Sequence, residues 1–301
     1  MRHFTPSLLL LLAAFPVAAQ TTPPQPAHHA SGATVSPDGR RIAFFSDRDG
    51  AGEYYVMNAD GSDVRRVTTD GGHRGRAYWS RDGKNLVFSK AQQDTSRIFS
   101  VSVEGGQPVE IGRITGRGGS LPMGEGNRVI YGVGDWARMQ LVSSRLDGSD
   151  QKPITSDPSA AYWCPTVTPR GDRVFATRND SSGMQVWMIG LDGSGSRAVT
   201  RFDSTQGRPQ CPAVTPDARH VAAQAEVKVP GDSTKTVGHI WLIDAATGSA
   251  VRLAPHRAPY HDELPTWFPD GKRLVFQSDR SGRWELWAIN ADGTGEVQLT
   301  Q

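Results

Sequence analysis

A short turn motif returns at a near-constant interval along this chain of 301 residues. It reads SPDGR at Ser36 to Arg40, SRDGK at Ser80 to Lys84, TPRGD at Thr168 to Asp172, TPDAR at Thr215 to Arg219 and FPDGK at Phe268 to Lys272. A worn copy, MGEGN, stands at Met123 to Asn127. With the second residue of each as origin (Pro37, Arg81, Gly124, Pro169, Pro216, Pro269), the spacings are 44, 43, 45, 47 and 53 residues. A period of this size marks a repeat architecture, in which one unit cannot bury its hydrophobic face alone and must stack on its neighbours.

The interior of each unit repeats as well. Five residues past the origins stand Ile42, Leu86, Val129, Val174, Val221 and Leu274, and seven past stand Phe44, Phe88, Tyr131, Ala176, Ala223 and Phe276. Apolar residues at alternate positions describe a strand with one buried face. A second apolar run follows in each unit, as in Tyr55-Val56, Val186-Trp187 and Leu286-Trp287, then a turn such as Asp60-Gly61 or Asp292-Gly293, then a short last strand. Pro presets the first turn residue and Gly accepts positive φ, so these dipeptides are hairpin punctuation. Four short strands per unit, six times over, predict an all-β fold: a six-bladed β-propeller of four-stranded antiparallel blades. A β-solenoid would repeat nearer 20 residues. Repeats 1 and 6 contain their own inner and outer strands, so repeat and blade should coincide, and the ring closes either by packing blade 1 on blade 6 or by a strand added from the leader.

The pattern x-P-x-W-S-P-D-G-x-x-[IL]-x-F-x-S-D-R, visible at Pro265 to Arg280, resembles the TolB-type propeller repeat over residues 31 to 301. The resemblance implies the fold and says little about function, which resides in sites and not in folds. The prolyl oligopeptidase and oligogalacturonate lyase propellers carry related repeats. This chain shows neither a Gly-x-Ser-x-Gly nucleophile elbow nor the α/β domain that precedes the propeller in TolB.

Arg2, the apolar run from Leu8 to Phe15 and the small residues Val17-Ala18-Ala19 read as a secretory signal over residues 1–19, cleaved before Gln20. Residues 20–30, rich in Pro, read as a flexible leader. The expected location is periplasmic or secreted, with no membrane insertion, because the apolar run is far short of the ~20 residues that span a bilayer. Without Arg2 the 33 basic residues become 32 against 31 acidic. So even a balance gives no reason to expect nucleic acid.

In a propeller the inner strands line the axial channel, and the residues leading into them form its mouth. Eight before the origins stand His29, His73, Gly116, Ala161, Arg208 and His261. Three histidines in blades that become neighbours on ring closure are a candidate site for a divalent metal, with Asp262 and Glu263 alongside. The oligogalacturonate lyase propeller, which holds its metal through mouth histidines, is a partial analogy; solvated loop histidines are the bland alternative. Cys164 and Cys211 each stand five before an origin in adjacent blades, and are candidates for a disulfide joining blades 4 and 5. Two buried thiols, or thiolate metal ligands, are the alternatives. Arg74, Arg76, Arg117 and Arg208, with Tyr162, Trp163 and Glu263, form a candidate mouth for an anionic or peptide ligand.

Ser46-Asp47-Arg48 and Ser278-Asp279-Arg280 recur at one repeat position and read as blade structure that bridges neighbouring loops. Asn58 to Asp63 lacks calcium-loop spacing, and Trp187, Trp241 and Trp287 recur as core. No catalytic constellation stands out. The leading expectation is a monomeric, non-enzymatic module without a cofactor that binds a cell-envelope protein or peptide. The alternative is a metal-dependent lyase or hydrolase acting on a saccharide or lactone.

Overall fold

The structure is a computed structural model that describes residues 29–73, 75–116, 128–168, 170–229, 232–253 and 260–301. The chain folds as the predicted six-bladed propeller. Blade 1 comprises Ala30–Val35, Arg41–Ser46, Glu53–Asn58 and Arg65–Arg66, hydrogen-bonded in that order from axis to rim. Blades 2, 4, 5 and 6 repeat this order, starting at Tyr78–Trp79, Ala161–Val167, Arg208–Val214 and Asp262–Trp267. Three strands of blade 3 are described: Arg128–Val133, Gln140–Arg145 and Lys152–Pro153. Its inner strand is expected in 117–127, which with the signal segment, most of the leader, Arg74 and Arg117 lies outside the described residues.

The repeated motif folds as it does for local reasons. The Ser36 hydroxyl donates to Asp38 Oδ1 at 2.6 Å and accepts the Arg41 N–H at 2.9 Å, while Asp38 also accepts the Arg40 N–H. Thr215, Asp217 and His220 repeat this arrangement in blade 5, where Ala218, at φ 58°, takes the left-handed position that glycine fills elsewhere. These turns, together with those between the third and fourth strands, form one face of the ring, here the turn face. The inner strands begin on the opposite, mouth face.

Each seam between blades is filled by one apolar cluster. Phe44, Tyr55 and Met57 of blade 1 pack with Val275, Leu286 and Leu299 of blade 6, and among the described residues the two blades share no strand. Tyr54 and Val67 pack with Leu86 and Phe88 between blades 1 and 2. Ile130 with Val174, Phe175 with Val221, and Ile240 with Phe276 belong to the clusters of later seams. Hydrogen bonds reinforce the closing seam, among them Ala30 N–H to Trp284 C=O at 2.9 Å and the Thr266 hydroxyl to Ala33 C=O at 3.0 Å.

A second internal device recurs. The side chain of a Thr after the outer strand accepts the N–H of a third-strand residue: Thr68 from Tyr54, Thr200 from Val186, and Thr300 from Leu286, each at 2.9 Å. In the same blades that hydroxyl bonds a buried or half-buried Glu53, Gln185 or Glu285. A buried polar group without a partner costs about 1–3 kcal/mol, and this clip leaves none of these unpaired.

Candidate functional site

The inner strands are not straight. Their registers slip between Ser31 and Thr34, Trp163 and Thr166, Gln210 and Ala213, and Glu263 and Thr266. At each slip one residue takes a left-handed backbone: Gly32 (φ 63°), Cys164 (48°), Cys211 (49°) and Leu264 (52°). Such bulges re-aim side chains at the end of a strand, and three of the four are forced on residues other than glycine. The slips sit at one position in blades 1, 4, 5 and 6, four consecutive blades of the ring.

Polar side chains from neighbouring blades hold three of these bulges. Thr177 Oγ1 of blade 4 accepts the Cys211 N–H at 3.0 Å, Gln224 Oε1 of blade 5 accepts the Leu264 N–H at 2.7 Å, and Gln277 Oε1 of blade 6 accepts the Gly32 N–H at 3.1 Å. All three acceptors stand eight residues past their origins. The sequence reading missed them, although three polar side chains at one offset of an otherwise apolar strand were a visible signal. Cys164 and Cys211 form a disulfide with their Cα atoms 4.9 Å apart, joining the bulges of blades 4 and 5 covalently.

Inside this collar lies an axial cavity of about 480 Å³. It runs from Arg76 at one end to Pro37, Pro216 and Pro269 of the turn face at the other, with Trp79, Val167, Ala213 and Trp267 on its walls. Arg76 links blade 2 to blade 6 past blade 1: its Nη2 donates to Leu264 C=O at 2.7 Å and reaches Pro265 C=O at 3.4 Å. Its Nε is buried without a partner. Burial pulls the guanidinium below its ordinary pKa, and the Tyr78 hydroxyl beside it opposes that shift.

On the mouth side, Glu263 is half-buried. Its Oε2 accepts from Gln277 Nε2 at 3.2 Å, and its Oε1 lies 3.6 Å from His261 Nδ1. Burial raises the Glu263 carboxyl above the usual carboxylate range; His261 pulls the other way, and the Glu226 charge adds to the rise. Arg208 is exposed and reaches Glu226 at 3.5 Å, which also accepts from Gln210 Nε2 at 3.1 Å. Glu263 and Arg208 lie at the starts of the inner strands of blades 6 and 5. Arg76, however, lies in the channel and not on its rim.

Two expectations require correction. Tyr162 is buried in the seam between blades 3 and 4, where its hydroxyl accepts from Arg178 Nε at 3.0 Å. It stands two residues before the Cys164 bulge, on the core-facing side of the alternation. Trp163 is half-buried and paired in register with Thr177. The histidines form no joint site either. Among the described residues, the group of metal-ligand type brought within 4.8 Å is Glu53, Asp70 and His73, without His29 or His261. His73 is buried against Tyr54 and Phe88, with Nε2 2.6 Å from Asp70 Oδ1. His29 and His261 instead donate their backbone N–H groups to Asp47 and Asp279, at 2.6 and 2.7 Å. These aspartates belong to the repeated Ser-Asp-Arg motif, which ties together loops of its own blade. Glu53 is engaged by Thr68 and the Gly71 N–H, and Asp70 by Lys90. Both carboxylates of this set are engaged by protein groups while His73 Nδ1 is buried without a partner, and the set is not the one that the histidine spacing suggested.

The sequence profile of the TolB beta propeller domain matches residues 25–213, more than half of the chain. The chain belongs to the TolB-type propeller family. An uncharacterized protein of Agrobacterium fabrum is 24% identical to this TolB-type chain over 198 residues, 62% of the chain and 67% of that protein. A TolB homolog of Chlorobaculum tepidum is 27% identical over 131 residues, 44% of the chain and 27% of the homolog. The crystal structure of TolB from Acinetobacter baumannii superimposes with a TM-score of 0.64 at 16% identity, covering 92% of this chain and 64% of that one. This TolB-type chain thus spans under two thirds of both TolB proteins it matches, and the likeness establishes its fold.

Proposed function

We propose that this TolB-type propeller is an exported, non-enzymatic binding module that presents its mouth and axial channel to a protein or peptide of the cell envelope. The observation that carries the reading is the collar of bulges, held by Thr177, Gln224 and Gln277 and bridged by Cys164–Cys211. It holds the strands that carry Glu263 and Arg208, and the Leu264 carbonyl that Arg76 bonds, before any ligand arrives, which reduces the ordering cost of binding. A structural disulfide persists in oxidising compartments and so agrees with export. Support for a metal-dependent lyase or hydrolase falls with the dispersal of His29, His73 and His261.

The test is selection of displayed peptides on the immobilised propeller and on a folded Arg208→Ala/Glu263→Gln variant. Sequences enriched on the parent and lost on the variant support the reading. Equal capture by both, or no enrichment on either, rejects it.

A further inference from the structure

In the threonine clips of blades 1, 4 and 6, the partner sixteen residues past the origin is Glu53, Gln185 or Glu285. What balances it differs between the blades. Gln185 is neutral. Glu285 is buried and pairs with Arg283 Nε at 2.6 Å. Glu53 is equally buried, yet among the described residues its one basic neighbour within 4 Å is His73, whose Nε2 lies 3.6 Å from Glu53 Oε2. Burial holds His73 below its ordinary pKa, and a neutral imidazole gives a buried carboxylate no counter-charge.

A second observation comes from the imidazole itself. His73 is 2% exposed, and its Nδ1 is buried without a partner. While Nε2–H donates to Asp70 Oδ1 at 2.6 Å, Nδ1 keeps a bare lone pair. The rings of Tyr54 and Phe88, 4.9 and 4.8 Å away between centroids, offer that lone pair no donor, whereas they offer an N–H a π acceptor. A cation on Nε2 makes this exchange, because the single imidazole proton then moves to Nδ1.

The carboxylates have room for such an ion. Glu53 accepts one hydrogen bond on each oxygen, from the Thr68 hydroxyl and the Gly71 N–H, and Lys90 holds Asp70 through Oδ2. Each carboxylate oxygen has a further lone pair. One ligand atom from each of Glu53, Asp70 and His73 lies within 4.8 Å of the others. A tetrahedral ion bonded at about 2.1 Å separates its ligand atoms by about 3.4 Å. The 3.6 Å between His73 and Glu53 is close to that edge. Asp70, its side chain 32% exposed, is free to move outward from 2.6 Å.

We propose that Glu53, Asp70 and His73 bind one divalent cation of the zinc type, which ties the loop between blades 1 and 2 to the third strand of blade 1. An imidazole with two carboxylates suits such an ion better than calcium or magnesium, which take oxygen ligands. The site is independent of the binding-module reading, since none of its three residues lines the axial cavity.

The experiment titrates the untagged protein, stripped of metal by a chelator, with Zn²⁺, Ca²⁺ and Mg²⁺ in turn by isothermal calorimetry. The expected result is one Zn²⁺ per chain, weaker Ca²⁺ and Mg²⁺, and a melting temperature that rises with Zn²⁺. Asp70→Asn and His73→Asn should each weaken Zn²⁺ binding on the order of tenfold or more. Glu285→Gln, at the matching position of blade 6, should leave it unchanged. Metal-free melting curves show which variants are folded, and Asp70→Asn, on an exposed side chain, decides the matter if His73→Asn is not. Absence of Zn²⁺ binding, binding unchanged by Asp70→Asn, equal loss in Glu285→Gln, or a preference for Ca²⁺ or Mg²⁺ overturns the proposal.

Discussion

Replacing both cysteines should reveal how much of the mouth is held by the bridge and how much by the backbone around it. Cys164 and Cys211 are separated by 47 residues, and cross-linking a loop of that length removes about 4 kcal/mol of chain entropy from the unfolded state. Over a propeller of 271 residues (31 to 301), the unfolding entropy is on the order of 0.57 kcal/mol/K. Cys164→Ala/Cys211→Ala should then melt about 7 °C below the parent. Both cysteines hold left-handed backbone, φ 48° and 49°, which disfavours Ala and suits Gly by roughly 1 kcal/mol per site. Cys164→Gly/Cys211→Gly should therefore lose only about 2 kcal/mol. Urea unfolding followed by tryptophan fluorescence measures both, with equal m-values confirming a common unfolded state. An Ala pair within about 1 kcal/mol of an oxidised parent, or a Gly pair weaker than the Ala pair, would refute the reasoning.

Two further predictions concern charge. The Glu263 carboxyl is raised in the fold, chiefly by burial, so the native state holds its proton more tightly than the unfolded chain and loses stability as pH rises above about 4.5. Glu263→Gln should melt higher than the parent at pH 7, with the gap closing below pH ~4.5; a variant that melts lower at pH 7 contradicts this. His73 is lowered from 6.5, chiefly by burial. The unfolded chain therefore takes up the proton first, and stability should fall as pH drops below about 6.5. His73→Asn should flatten the urea midpoint between pH ~7 and ~5.5, and an unchanged slope would remove His73 as the cause.

The ring was legible in the sequence because its signals are local. A Ser-Pro-Asp-Gly turn closes through hydrogen bonds within five residues, and the alternation of Ile42 and Phe44 states which face is buried. The cysteine pair was legible for a related reason, since equal offsets in adjacent repeats bring equal positions side by side. The mouth was less legible. Counting back from an origin assumes a straight strand, and the left-handed residue five before the origin breaks that count. Tyr162 consequently faces the seam, while His29 and His261 are held at the mouth by their backbone and not through their rings. The fate of His73 depended on Asp70 and Lys90, which no repeat offset connects to it.

Closing the ring by packing alone has a mechanical consequence. Where one blade is completed by both ends of a chain, widening the channel requires breaking a β-ladder. Here, among the described residues, each four-stranded blade is built from its own repeat, and the junction of blades 6 and 1 rests on the apolar cluster of Phe44, Leu286 and Leu299 with a few hydrogen bonds such as Gln277 to Gly32. Spreading that junction would break no β-ladder among the described residues, whereas the Cys164–Cys211 bridge ties blades 4 and 5 together covalently.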